Sequence, residues 1–293
     1  MADPNKQRIS TIICKNCGQT IPLFNLPPNR KISGNPKLSI EEHSLCNKPL
    51  EKLRPLIESM SAEDLMIQSS KVRHSRAPKL SDEQNYHYHV NWYAYNMVKL
   101  FRRLNHTTIY IKDFPKPRSY FKQGITQYDW IQYHYHDYMV SIVGLYEVAL
   151  KLTNGVFRLG IDEKQVNKST IEDNLWVKST GVSESLRTLR QATSHVKAPR
   201  NLFIHGGDLL KLDELDRLDI ISIASKLHLC EYPPDVIKNA FQVDIDRLVN
   251  RMSSEISSME SHAINLFDKL LPIYNFHASI FGTIEESSRK MRG

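Results

Sequence analysis

The chain is 293 residues long, enough for one large domain or two modest ones. Its 41% apolar content supports a packed core, and 11 Gly with 14 Pro are too few for a fibrous or low-complexity chain. A net charge of +7 suits acidic partners such as nucleic acid, while the polar start and the lack of an eighteen-residue apolar run argue against a signal peptide or membrane span, leaving the cytoplasm as the expected compartment.

Residues 1–80 hold thirteen Lys and Arg against seven Asp and Glu, whereas residues 81–293 are nearly balanced. We therefore expect a basic N-terminal segment over 1–80 and a helical domain over 81–293. Residues 1–40 carry loop signals (Gly18, Pro22, Pro27, Pro28, Gly34 and Pro36) and no sustained helical period. Within them, Cys14-Lys-Asn-Cys17-Gly has the form of a zinc knuckle, and His43-Ser-Leu-Cys46 offers a second close pair. Cys14, Cys17, His43 and Cys46 together would give a tetrahedral structural zinc site with no open position for chemistry. The competing reading is that these thiols pack as small apolar side chains.

Leu53, Ile57 and Met60 predict a helix over 50–68 that starts properly at Pro55, followed by a linker at 76–81. Val90, Tyr93, Met97, Leu100 and Leu104 predict a strong helix over 82–104. Residues 107–111 look extended and lead into a long connection over 109–124. This region is basic, with Lys99, Arg102, Arg103, Lys112, Lys116, Arg118 and Lys122 against a lone Asp113. Phe101, Tyr110, Tyr120 and Phe121 are interleaved with it. Cations neutralise phosphates and aromatic rings stack on unpaired bases, so the pattern suits single-stranded RNA, although a solvated basic loop has the same composition.

The clearest helix covers 128–154, ends at Gly155, and carries the stripe Trp130, His134, Tyr138, Ser141, Leu145, Val148 and Leu152. A further helix over 183–195 takes Ser183 as its cap. Others cover 213–229 and run from 234 towards 273, the last with Val236, Phe241, Ile245, Leu248 and Met252 inward. Tyr-His-Tyr-His occurs twice, at 86–89 and 133–136, but residues two apart on a helix diverge and would not chelate a metal together. The sum is an all-α, up-and-down helical bundle with a small, loop-rich N-terminal segment.

Between the helices over 183–195 and 213–229 stands Pro199-Arg200-Asn201-Leu-Phe-Ile-His205-Gly206-Gly207. Arg can clamp a phosphate through its planar fork, and His moves protons near neutral pH, so the pair could cleave a phosphodiester without a metal. On a regular helix residues five apart point about 140° away from each other. Either the helix begins irregularly at Pro199, or a second copy completes the site. The spacing and the Asn after the Arg resemble the R-x(4–6)-H motif of the HEPN superfamily, all-α domains of which many are metal-independent endoribonucleases in toxin–antitoxin, abortive-infection and CRISPR-linked systems. The resemblance implies a homodimer cleft, RNA as substrate, and Arg200, His205 and Asn201 as phosphate clamp, proton-transfer group and polar positioner. An antitoxin or defence-system partner is also implied. Gly207 departs from the subset of toxins with a Tyr two places after the His, so control through modification of that Tyr is not carried over. The alternative in the same superfamily is a non-catalytic module that binds nucleotide or RNA or scaffolds a partner. A DNA-binding regulator ranks below both, since no recognition helix follows the Cys pair.

Overall fold

The computed structural model describes residues 11–13, 20–22, 39–59, 80–114, 118–206, 213–226 and 233–290. Two short strands, β1 (Thr11–Ile13) and β2 (Thr20–Pro22), pair antiparallel with Ile12 opposite Ile21. Cys14 and Cys17 fall in their connection, outside the described residues. Every other described element is helical, so the molecule is an all-α bundle.

α1 (Ser44–Ser59) starts earlier than expected and contains both Pro49 and Pro55. Residues 60–68, the rest of the predicted helix, lie outside the described residues. Ile40, Leu45 and Leu53 are buried, the first two within the same core cluster as the long helices, because α1 packs on α2 and on the last helix. α2 (Asp82–Lys112) opens on a capping box in which Ser81 and Gln84 exchange side-chain to backbone bonds, with Asp82 and Glu83 complementing the positive end of the helix. It runs straight through 107–111, correcting the extended reading. Thr107 and Ile111 are four apart, so they fall on one helical face and are buried. The Thr107 hydroxyl donates back to the Arg103 carbonyl. Ile109, between Thr107 and Ile111, is exposed. α3 (Arg118–Lys122) interrupts the connection.

α4 (Gln127–Phe157) is the central helix. Thr126 and Asp129 form its capping box. It continues past Gly155, whose Cα faces the Tyr93 ring, and stops only at Arg158 in the left-handed region (φ 54°). α4 is long and apolar enough to cross a membrane by length and composition, but half of its most apolar window is buried inside the bundle, as a core helix requires. α5 (Lys168–Ile171) and α6 (Leu175–Ser179) had no sequence counterpart. α7 (Val182–Thr193) begins at Gly181, also left-handed, rather than at Ser183. Ser183 instead donates its hydroxyl to the Glu172 carbonyl.

α8 (Lys197–Asn201) leads to α9 (Asp213–Lys226) and α10 (Pro234–Lys290). α10 has 57 residues, about 85 Å at 1.5 Å per residue. Ile245, Leu248, Met252, Ile256, Met259, Ala263, Leu266 and Leu270 recur at intervals of three and four and are all buried. Val236, placed on this stripe by sequence, is exposed because it precedes the part of α10 that meets the bundle. α2 and α4 pack along much of their lengths, and α7 and α10 close the core around α4.

Candidate active site

From the end of α7 the chain reaches the Arg200/His205 segment without a loop. Thr193 gives way to a 3-10 turn (Ser194–Val196), then α8, then a π-helical turn (Leu202–Gly206). Pro199 explains the first irregularity. It has no N–H to bond the His195 carbonyl, and its ring crowds that carbonyl, so a regular α-helix is disfavoured there. The chain tightens instead, with the Lys197 N–H bonding the Ser194 carbonyl. Pro199 sits third in α8 and does not open it, because the strain is absorbed one turn earlier.

The π-helical turn changes the geometry of the motif. Its hydrogen bonds span five residues instead of four, and it holds His205 while Arg200 stays in α8, a distortion the sequence reading did not foresee. Phe203 pins the turn to α4, its ring stacked on His136 at 3.7 Å between centroids and 25° between planes. Leu202 and Ile204 on either side face solvent.

Arg200 is half-buried, and its Nη1 donates to Asn201 Oδ1 at 3.0 Å. Its Nε is enclosed and has no hydrogen-bond partner among the described residues. A guanidinium with a buried, unanswered N–H is unusual in a folded chain, and an anion that reached it would supply the missing acceptor. His205 is exposed, with its ring open to water. The His136 pKa is lowered by burial, so the ring beneath Phe203 is held neutral near pH 7.

A second cluster supports the same segment. His195 Nε2 lies 3.3 Å from Glu255 Oε2 on α10, and the Tyr138 hydroxyl of α4 donates to the same oxygen at 2.7 Å. Burial pushes the Tyr138 pKa upward, so it stays a donor. Glu255 thus ties the 3-10 turn, α4 and α10 together. Sequence reasoning saw His195 only as a helix end. Its partner is 60 residues away, and no local pattern announces such a contact.

His43 and Cys46, offered as zinc ligands, are engaged otherwise. His43 is buried against Phe267, accepts the Leu45 N–H at Nδ1 (3.0 Å), and donates from Nε2 to Asp268 (3.1 Å), so neither nitrogen has a free lone pair. The Cys46 thiol donates to the Ile40 carbonyl at 3.3 Å, and burial pushes its pKa up to about 12, far from the thiolate that zinc needs. As they stand, these two side chains do not fit the metal. No group of three or more His, Cys, Asp or Glu suited to a metal occurs among the described residues.

The basic run is dispersed. Phe101 is core and cannot stack on a base. Arg102 binds Glu41 through two bonds (2.6 and 3.0 Å), and Arg103 pairs with Asp137. Tyr120 packs on Trp130, while Lys116 and the side chains of Arg118 and Phe121 lie outside the described residues. The two Tyr-His-Tyr-His segments also part company. Tyr86 and His87 are buried, with the Tyr274 hydroxyl 2.9 Å from His87 Nδ1, whereas Tyr133 and His134 border a surface pocket.

A family model described as Cthe2314-like HEPN matches residues 50–228, more than half of the chain and including the whole Arg200–His205 segment. No curated protein and no solved structure matches.

Proposed function

This chain belongs to the HEPN superfamily, and from that membership we propose that it is a metal-independent endoribonuclease. The observation that carries the reading is Arg200, half-buried in α8 with Nη1 held by Asn201 and Nε without a partner among the described residues, directly before the distorted turn that presents an exposed His205. In the proposed reaction the RNA 2′-hydroxyl attacks the adjacent phosphorus. The O2′–P bond forms and the P–O5′ bond breaks, leaving a 2′,3′-cyclic phosphate and a 5′-hydroxyl. His205 takes the 2′-hydroxyl proton, or gives one to the leaving O5′, and Arg200 stabilises the added charge on the non-bridging oxygens. Asn201 fixes the guanidinium. A single His serves one of the two proton transfers, so a second copy facing the first across a two-fold axis supplies the other. A role in defence or stress response, with an antitoxin-like partner restraining the activity, follows from the same reading.

Cleavage in EDTA tests it. Arg200→Ala and His205→Ala should each lose at least about a hundredfold in rate, and the product should end in a 2′,3′-cyclic phosphate. A 5′-phosphate product with strict Mg²⁺ dependence would overturn the mechanism. One observation favours the non-catalytic alternative: among the described residues no hydrogen bond orients the His205 ring. If RNA is held but never cut, and His205→Ala changes nothing, the chain is a binding module.

A further inference from the structure

The strongest unassigned feature is a surface pocket of about 380 Å³ between α2 and α4. Lys99, Arg102 and Arg103 enter it from α2; Arg102 is paired with Glu41, and Asp137, the one carboxylate among the described lining residues, is paired with Arg103. Lys99 has no carboxylate partner among the described residues; its ammonium lies 4.6 Å from the centre of the Tyr95 ring. The rim is aromatic. Tyr133 is 70% exposed and Tyr110 47% exposed, far more than core rings of their size. Both edge the His134 ring, at 5.3 and 5.0 Å between centroids, and Trp130 backs it at 4.4 Å. His134 Nε2 is enclosed and lacks a hydrogen-bond partner among the described residues.

We propose that this groove holds single-stranded RNA and feeds it to the Arg200/His205 turn. The choice of RNA rests on the ribonuclease reading; the choice of single strand rests on the groove. Exposed rings stack on bases only when the bases are unpaired, and duplex RNA hides its bases in a deep, narrow major groove. Cations beside the rings answer the phosphates. The placement links groove and turn. Tyr133, His134 and Asp137 line the pocket, and His136, between them on α4, carries Phe203 of the π-helical turn. One turn of α4, about 5.4 Å of rise, therefore serves both.

The test is equilibrium binding of a fluorescent oligouridylate, its DNA counterpart and an RNA duplex to the full chain, repeated with His205→Ala so that the probe stays intact. Single-stranded RNA should bind tightest. Tyr133→Ala and Tyr110→Ala should each weaken it about tenfold. Lys99→Ala should lower the salt dependence of binding by about one phosphate contact. Asp137→Asn, which releases Arg103, should tighten it. Wild-type binding in the Tyr133→Ala and Lys99→Ala variants, a preference for the duplex, or no RNA binding at all would overturn the proposal. If the groove variants bind normally while the parent cuts, the groove fails and the nuclease reading stands. If groove binding is found and the RNA is never cut in EDTA, the nuclease reading fails and the groove stands.

Discussion

Arg200 and His43 are both polar side chains inside a helical bundle, and their surroundings give them opposite characters. His43 has both ring nitrogens satisfied, by Leu45 and Asp268, and so behaves as an anchor between the start of α1 and α10. Removing it should leave the Leu45 N–H unsatisfied and a hole beside Phe267. We expect His43→Ala to cost about 1–3 kcal/mol in denaturant unfolding. The loss should be the same with and without chelator. A loss that vanishes in chelator would instead mark His43 as a zinc ligand together with Cys14, Cys17 and Cys46. Arg200 keeps an enclosed N–H without a partner among the described residues, an arrangement that costs stability and is tolerated where an anion completes it. Asn201 holds one end of that guanidinium. Asn201→Ala should therefore reduce cleavage by roughly tenfold, less than Arg200→Ala, because the clamp is loosened and not removed. Equal losses in the two variants would show that Asn201 has a larger role.

At the scale of elements, the long amphipathic helices were legible in the sequence because their stripes recur at three and four residues whatever surrounds them. The stops were not. Gly155 reads as a helix end, yet nothing crowds its Cα and the helix continues to Arg158. An added Cβ would meet Tyr93 at an ordinary 4.0 Å. Gly155→Ala should therefore raise stability by about 0.5–1 kcal/mol, and a destabilisation would mean that Tyr93 cannot yield. Residues 107–111 misled for the converse reason: β-branched side chains favour strands locally, but burying Thr107 and Ile111 on one face outweighs that preference. The candidate site was half legible. Residue types and spacing pointed to Arg200 and His205, whereas the 3-10 and π-helical turns around them follow from Pro199 and from the Phe203–His136 stack, a contact across 67 positions. Pro199→Ala restores the missing N–H and should let a regular helix form. Stability should change by less than about 1 kcal/mol or rise, while cleavage falls at least about tenfold because the segment that carries Arg200 and His205 is re-aimed. Full activity in a normally folded Pro199→Ala protein would separate the motif from its distortion.

The whole molecule is organised around α4, which packs on α2, α7, α8 and α10 and carries the rings of both the pocket and the motif's support. Enclosing so many imidazoles and phenols has a consequence for stability against pH. His87, His134, His136 and His277 all have pKa values lowered from near 6.5, burial being the largest cause in each. The folded chain then binds fewer protons than the unfolded chain just below pH 6.5, so their contribution is complete above that value and is lost as the pH falls. Tyr86, Tyr93, Tyr138, Tyr146 and Tyr274 have values raised above 10.0, and Cys46 is raised from 9.0, again mainly by burial. Here the unfolded chain loses protons first, so stability is present below about pH 9 and is lost as the pH rises. The expected profile is a plateau between these limits with a shoulder on each side, read as melting temperature across pH. Replacing His136 by Phe keeps the stack on Phe203 and removes one titrating group, so the acid shoulder should move to lower pH while the alkaline one stays. A profile flat down to the carboxylate range, with no change between about pH 5 and 6.5, would show that the buried imidazoles accept protons without cost to the bundle.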